Sequence, residues 1–407
     1  MATMFRLSRQ LLKRPLFRRA TSPARKFSQS NFLLLDSAEK FEEETLPWYS
    51  PDRFYPIKIG EIFQSRYQVI GKLGFGGYST AWLCRDLQQH VYVTLKMFER
   101  DSAEGIRETE VYDHLNALST CHNGALLVRT ALDSFQIGSP EGNYQCLIHP
   151  PLGISLFEFR NQLAAKVLPE KITKLTLLHV LLALDFLHTE AGVVHTEGEK
   201  SNPSPRKVDG DRVIYFSRKL GRTRQHGRSI LCDFGQARFG SSTYCGDIQP
   251  HIYRAPEVLL RMPWDQKVDI WNMGVMAWDL FQKGHLFYAR DSDKQDSDSH
   301  HLAEMIALLG PPPKDMLRMN DYATEFFDSE GMFVRTVQLF LMLIRGHLGN
   351  WKERVQIPLL SLEDLEWNLQ GSQQQLFLGF MRKMLRWRPE ERESAKDLLS
   401  DPWLRSP

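Results

Sequence analysis

The chain has 407 residues, 42% of them hydrophobic and 25% charged, with a formal net charge of +2; it can bury one or two sizeable cores, which excludes disordered and fibrous classes. No apolar run approaches the roughly 20 residues of a membrane-spanning helix, so no transmembrane segment is expected, and the balanced charge gives no footprint for direct nucleic-acid binding. Cys84, Cys121, Cys146, Cys232 and Cys245 are scattered, with neither CxxC nor Cys/His ligand spacing, so free thiols in a reduced compartment and no structural zinc are expected.

Residues 1–30 carry Arg6, Arg9, Lys13, Arg14, Arg18, Arg19, Arg25 and Lys26, and the first acid is Asp36. On a helical wheel Met4, Leu7 and Leu11 share a face opposite Arg6, Arg9 and Lys13, until Pro15 stops the turn. A cationic, acid-free amphipathic helix is the physics of a mitochondrial presequence, and "ARKFSQS" has the form of a matrix-processing site. A mitochondrial matrix address is therefore expected. A disordered basic tail, in a protein of cytoplasm or nucleus, is the alternative. On either reading the segment stays outside the fold.

Residues 31–65 form an N-terminal extension whose acidic, aromatic stretch 39–56 shows neither helical nor strand period. "RYQVIGKLGFGGYSTAWLCRD" then reads as strand, glycine-rich turn and returning strand, and "VYVTLKMFE" as a third strand. "SAEGIRETEVYDHLNAL" is a helix with Ile106, Val111 and Leu115 facing inward. "LLVRTALDSFQI" and "YQCLIHPPLG" add two strands. From Leu156 the pattern turns helical: "ITKLTLLHVLLALDFLHTEAG" and "VDIWNMGVMAWDLF" are apolar over most of their circumference, as central helices are. The fold class is α+β, with a small β-rich lobe over residues 66–153, a larger helical lobe over 154–404, and a cleft between them as the natural ligand site.

Gly74 and Gly76, without Cβ atoms, let backbone amides approach a phosphate chain. Lys96 stands on the third strand under that turn, and Glu108 on the following helix within ion-pair reach. Singly these read as a hairpin glycine, a surface lysine and a solvated helix acid; together and in this order they read as a nucleotide site.

With "DFG" at residues 233–235, "APE" at 255–257, "VDIWNMG" and Arg392 in "RPEERESA", the stretch from about residue 66 to 404 resembles the eukaryotic protein kinases. Within them "RYQVIGKLGFGGYSTAWLCRD", "DIQPHIYRAPEV" and "HLAEMIALLGPPP" are similar to the SR-protein kinase branch of the CMGC group as found in fungi. The resemblance implies a bilobal kinase fold, ATP and Mg2+ as cofactors, and transfer of the γ-phosphate to Ser or Thr hydroxyls of a protein substrate, Arg/Ser-rich by analogy, in a monomeric enzyme. It implies that Leu73, Gly74, Gly76, Ser79 and Ala81 surround the nucleotide, that Lys96 paired with Glu108 positions phosphates, and that Asp233 and Asn202 hold metal. Glu197 takes the place of the base. His195, Asp269, Glu257 and Arg392 take structural roles.

The pattern breaks at "HTEGEKSN". Glu197 stands where the family has Asp, Glu199 where it has Lys, and Pro203 follows Asn202 directly. A longer carboxylate displaces the base by about an ångström, and Glu199 puts negative charge where phosphates need positive. Residues 203–229 form an Arg- and Lys-rich insertion, read as a solvated basic loop against the alternative of a docking or regulatory insert. An active kinase, a pseudokinase of the same fold, and a misjoined coding segment at this loop all stay open. His149 and Pro150 fall at the expected hinge and leave the adenine contacts undefined.

Overall fold

The alternation that starts at Tyr67 builds a β-hairpin around the glycines, β2 (Tyr67–Phe75) and β3 (Ser79–Asp86), which continues into β4 (Tyr92–Arg100). This is a computed structural model; it describes residues 21–27, 40–196, 207–209, 212–215, 217, 227–318, 321–327 and 355–406. Glu197, Gly198, Glu199, Lys200, Asn202 and Pro203 lie outside the described residues, and so do residues 1–20 of the expected presequence. With β1 (Ile62–Phe63), β5 (Asp133–Ser139) and β6 (Gly142–His149) the strands form one antiparallel sheet in the order β1-β2-β3-β4-β6-β5.

The period of two sorts the sheet into two faces. Val93, Leu95 and Met97 of β4 join Val69, Trp82, Cys146 and Ile148 in an outer core, whereas Phe98 and Leu147 belong to the main core that continues into the second lobe. On the inner face Gly74 pairs with Ala81, Ala81 with Lys96 and Lys96 with Leu147, so the positions read from the sequence lie in one row across four strands.

Helix α1 (Ala103–Ala117) starts at Ser102, whose Oγ accepts from Gly105 N at 3.2 Å. A Cβ on Gly105 would meet Phe98 Cγ at 2.7 Å, so only glycine lets α1 lie this close to β4. Its buried stripe is Gly105, Glu108, Val111, Tyr112 and Leu115. Ile106, expected inside, is 50% exposed because it falls one residue off that stripe. Before β5 the chain forms a 3-10 turn, Asn123–Leu127, so the strand read from Leu126 onward begins only at Asp133.

The second lobe packs α3 (Glu170–Phe186) against α5 (Lys267–Phe281), after the short α2 (Leu156–Gln162) and with the short α4 (Pro256–Leu259) between them in the chain. Trp278, Phe281, Phe377 and Trp403 stack beneath them, with Phe377 and Trp403 centroids 4.8 Å apart. The continuous helix Glu170–Ala191 has the length and apolarity to cross a membrane, which the reading by runs of apolar residues did not anticipate. Its most apolar stretch is 61% buried inside the protein, as a core helix is.

Two segments expected outside the fold are part of it. Arg25 N donates to Gln68 Oε1 and Gln68 Nε2 to Arg25 O, both at 2.8 Å, while Phe27 lies over Gly60. Within the insertion a small hairpin, β7 (Lys207–Asp209) with β8 (Arg212–Ile214), leads to Tyr215 and Ser217, which are only 6% and 5% exposed. Tyr215 belongs to the outer core of the first lobe. The insertion is therefore not a solvated loop at these positions, because an aromatic ring at its end has an apolar pocket to fill.

Candidate active site

Lys96 Nζ lies 2.7 Å from Glu108 Oε2 and 2.9 Å from Asp233 Oδ1, so the sheet, α1 and the DFG turn meet at one ammonium. Burial pulls the Lys96 pKa down, but the Asp233 and Glu108 charges outweigh it and hold the lysine above its ordinary value. Glu108 is 1% exposed, and burial pushes its carboxyl up against the opposing pull of Lys96. Asp233 keeps a side chain 50% exposed, turned to the cleft. Its φ of +72° is costly for a non-glycine residue and is held by the structure around it.

Phe234 is what fixes that turn. Fully buried, it packs edge-on against Tyr112 of α1 at 5.4 Å and His195 at 5.1 Å. Arg107 donates to Gly235 O at 2.7 Å, and Gln236 Nε2 donates to Glu104. Burial raises the Glu104 carboxyl to about 7, Arg107 opposing and the Asp233 charge adding.

The expected anchor of the loop holds it from below. Asp269 on α5 accepts from the backbone N–H of His195 through Oδ2 and of Thr196 through Oδ1, each at 2.9 Å, and His188 Nε2 lies 2.9 Å from Oδ2. Burial raises this carboxyl, yet His188 and the backbone donors bring it below its ordinary value. His195 Nε2 reaches Cys232 O at 3.0 Å and Thr196 Oγ1 donates to Gln236 O at 2.9 Å, so the start of the loop and the DFG strand are one unit.

Glu257 and Arg392 form the predicted buried pair: Nη1 to Oε1 at 2.7 Å and Nη2 to Oε2 at 2.6 Å, with side chains 1% and 0% exposed. Arg392 also donates to Lys267 O at 3.0 Å, joining the APE segment to α5.

Leu73, Gly74, Ser79 and Ala81 are half-buried along the cleft side of the hairpin, and Gly76 is exposed at its tip. A Cβ built on Gly74 finds nothing within 4 Å, so the space above it is open for a ligand. His149, read as a hinge residue, turns inward instead. It is 0% exposed, its ring lies 5.0 Å from Tyr112, and Nδ1 donates to Thr130 O at 2.9 Å; burial and then Arg129 pull its pKa down to about 3, so the ring is neutral. Pro150 and Pro151 carry no N–H, so the next backbone donor along this wall is Leu152.

A family model described as the protein kinase domain matches residues 67–404. The chain belongs to the protein kinase family. This kinase is 46% identical to a serine/threonine protein kinase of Aspergillus fumigatus over 99% of each chain. It is 27% identical to the serine/threonine-protein kinase SRPK of Physarum polycephalum, over 91% of this chain and 93% of that one, and 23% identical to SRSF protein kinase 3 of Mus musculus, over 89% and 90%. These relatives place it among the SRPK-like serine/threonine kinases. A crystal structure of a kinase domain superposes with a TM-score of 0.65 over 87% of this kinase and 99% of that chain at 23% identity, which bears on the fold.

Contacts that sequence reasoning missed come from the extension and the insertion, Trp48, Glu42, Glu43, Tyr215 and Ser217, and from Lys72 of β2, which faces them. The unexplained signal was the acid run "EKFEEE", too apolar around its edges to be a solvated tail.

Proposed function

We propose that this kinase transfers the γ-phosphate of ATP to Ser or Thr hydroxyls of a protein substrate. The observation that carries the reading is the Lys96, Glu108 and Asp233 constellation, assembled with Phe234 packed behind it. Lys96 is placed to orient phosphate oxygens, and the open space above Gly74 suits a phosphate chain passing beneath the turn. Asp233 and, from the sequence, Asn202 are the donors that would hold Mg2+, whose charge offsets that of the phosphates. Glu197 is the base candidate: it would take the hydroxyl proton as the new O–P bond forms and the bond to the leaving nucleoside diphosphate breaks.

Glu197 and Glu199 themselves favour a second reading, a pseudokinase that binds nucleotide without transfer. Misplacing a base by about an ångström costs on the order of 10²-fold in rate, and Glu199 adds repulsion where screening is weak. The substrate class rests on likeness to proteins named SRPK and SRSF protein kinase 3; an Arg/Ser-rich peptide is the first to try. A mitochondrial address is proposed from residues 1–30 alone.

The test combines a melting scan with Mg-ATP and transfer of labelled phosphate to an Arg/Ser peptide, beside Lys96→Met and Asp233→Ala. A raised melting temperature with transfer lost in both variants supports the kinase. A raised melting temperature without transfer in the wild type supports the pseudokinase.

A further inference from the structure

A hairpin that ends in glycines has little side-chain mass to hold it over a cleft. Here it is gripped from outside at three points, one at the tip and two midway. At the tip, Trp48 Nε1 donates to Gly77 O at 3.0 Å and the Trp48 ring stacks on Tyr78 at 6.2 Å. Midway, Lys72 of β2, next to Leu73 and Gly74, has a side chain 0% exposed, with Glu42 Oε2 at 3.5 Å and an ion pair to Glu43. On the neighbouring strand at the same height, Tyr215 packs edge-on against Trp82 of β3, the register partner of Lys72, at 5.6 Å, and its hydroxyl accepts from Ile59 N at 3.2 Å.

The three grips are linked. Glu42, which faces Lys72, also accepts from Ser217 N at 3.1 Å and Ser217 Oγ at 2.6 Å. Ser217 belongs to the insertion, whose chain leaves the second lobe after the loop held by Asp269 and returns to it before Asp233. A buried carboxylate is thus shared between a lysine of the hairpin and a serine of a segment rooted in the other lobe. Such a carboxylate is satisfied only while both partners stay, so the contact is all-or-none.

We propose that residues 40–59 of the N-terminal extension, with Tyr215 and Ser217 of the insertion, together form a strap that positions the glycine-rich hairpin over the cleft, with Trp48, Glu42 and Tyr215 as positioning residues. They act through Gly77, Lys72 and Trp82. The consequence for nucleotide affinity rests on the function proposed above, while the strap itself does not.

Hydrogen exchange on the full chain tests it, comparing wild type with Tyr215→Ala, Tyr215→Phe and Glu42→Gln. Tyr215→Ala is expected to speed amide exchange across residues 67–86 by about tenfold or more with α5 unchanged, a local opening rather than a global one. Tyr215→Phe keeps the ring and gives up only the hydroxyl's bond with Ile59 N, so its rise is expected to be well below that of Tyr215→Ala. No change in residues 67–86, or an equal rise in both lobes, overturns the proposal. Should Tyr215→Ala fail to fold, Ser217→Ala and Trp48→Phe each delete one hydrogen bond and carry the same comparison. Titration of the same proteins with Mg-ATP is expected to show weaker affinity in Tyr215→Ala and Glu42→Gln and near-normal affinity in Tyr215→Phe. A wild type that takes no nucleotide would defeat the functional reading, while the exchange contrast would still decide the strap.

Discussion

Lys96 lies between two carboxylates of opposite burial, and that asymmetry decides what its loss does. Asp233 can turn to water, but Glu108 cannot, so Lys96→Met strands a buried charge as well as removing a phosphate contact. Loss of Mg-ATP binding and a lower melting temperature are expected together, and Glu108→Gln in the Lys96→Met background should recover part of the melting temperature without restoring binding. Glu104 gives a pH dependence that can be signed. Its folded pKa of about 7 lies above the ordinary 4.5, so the folded state holds a proton that the unfolded state has released between those values. Its contribution is present in full below about 4.5 and is lost as pH rises through about 7. The wild type should therefore lose stability over that window relative to Glu104→Gln, which melting curves at stepped pH would show; parallel curves would remove Glu104 as the source.

At the scale of elements, the Glu257 and Arg392 pair is where the APE segment, α5 and the C-terminal helices meet. Breaking a buried ion pair from one side leaves an uncompensated charge and costs about 3–5 kcal/mol, so Arg392→Met should lower the denaturant midpoint sharply with little change in slope. The pair, like Asp269, was expected from the resemblance to protein kinases and not from local pattern: Arg392 lies in the charged run "RPEERESA", which by itself gives no sign that one of its arginines is buried. Gly74 and Lys96 were legible from their order with Gly76 and Glu108, each ambiguous alone, whereas Ala81, which lies between them in the row, was implied only by the resemblance to protein kinases. Ile106 was misjudged because a helix with several polar positions leaves its stripe free to rotate by one residue. Glu42 and Ser217 were not legible at all. They lie 175 residues apart, and no periodicity tells which acid of an acidic run turns inward or which serine of a basic insertion meets it.

For the whole molecule, the extension decides how much of the N-terminus the kinase can lose. A cut near the "ARKFSQS" site would remove the docked residues 21–27, and with them Ser22 N to Leu87 O and the two bonds between Arg25 and Gln68. Hydrogen bonds of this kind contribute about 0.5–1.5 kcal/mol each, so a chain beginning at residue 28 should fold and melt a few degrees lower. A chain beginning at residue 61 is different in kind. It loses Phe54 and Ile57, which are 4% and 1% exposed, and it strips both acids from Lys72, leaving its ammonium unpaired against the outer core. Lys72→Met separates the two losses by its sign. In the full chain it should destabilise, because Glu42 and Glu43 lose their cation; in the chain beginning at residue 61 it should stabilise, because the stranded charge is gone. Melting temperatures of the four proteins measure this directly. A Lys72→Met substitution that shifted both chains in the same direction would mean that the extension acts by covering apolar surface alone.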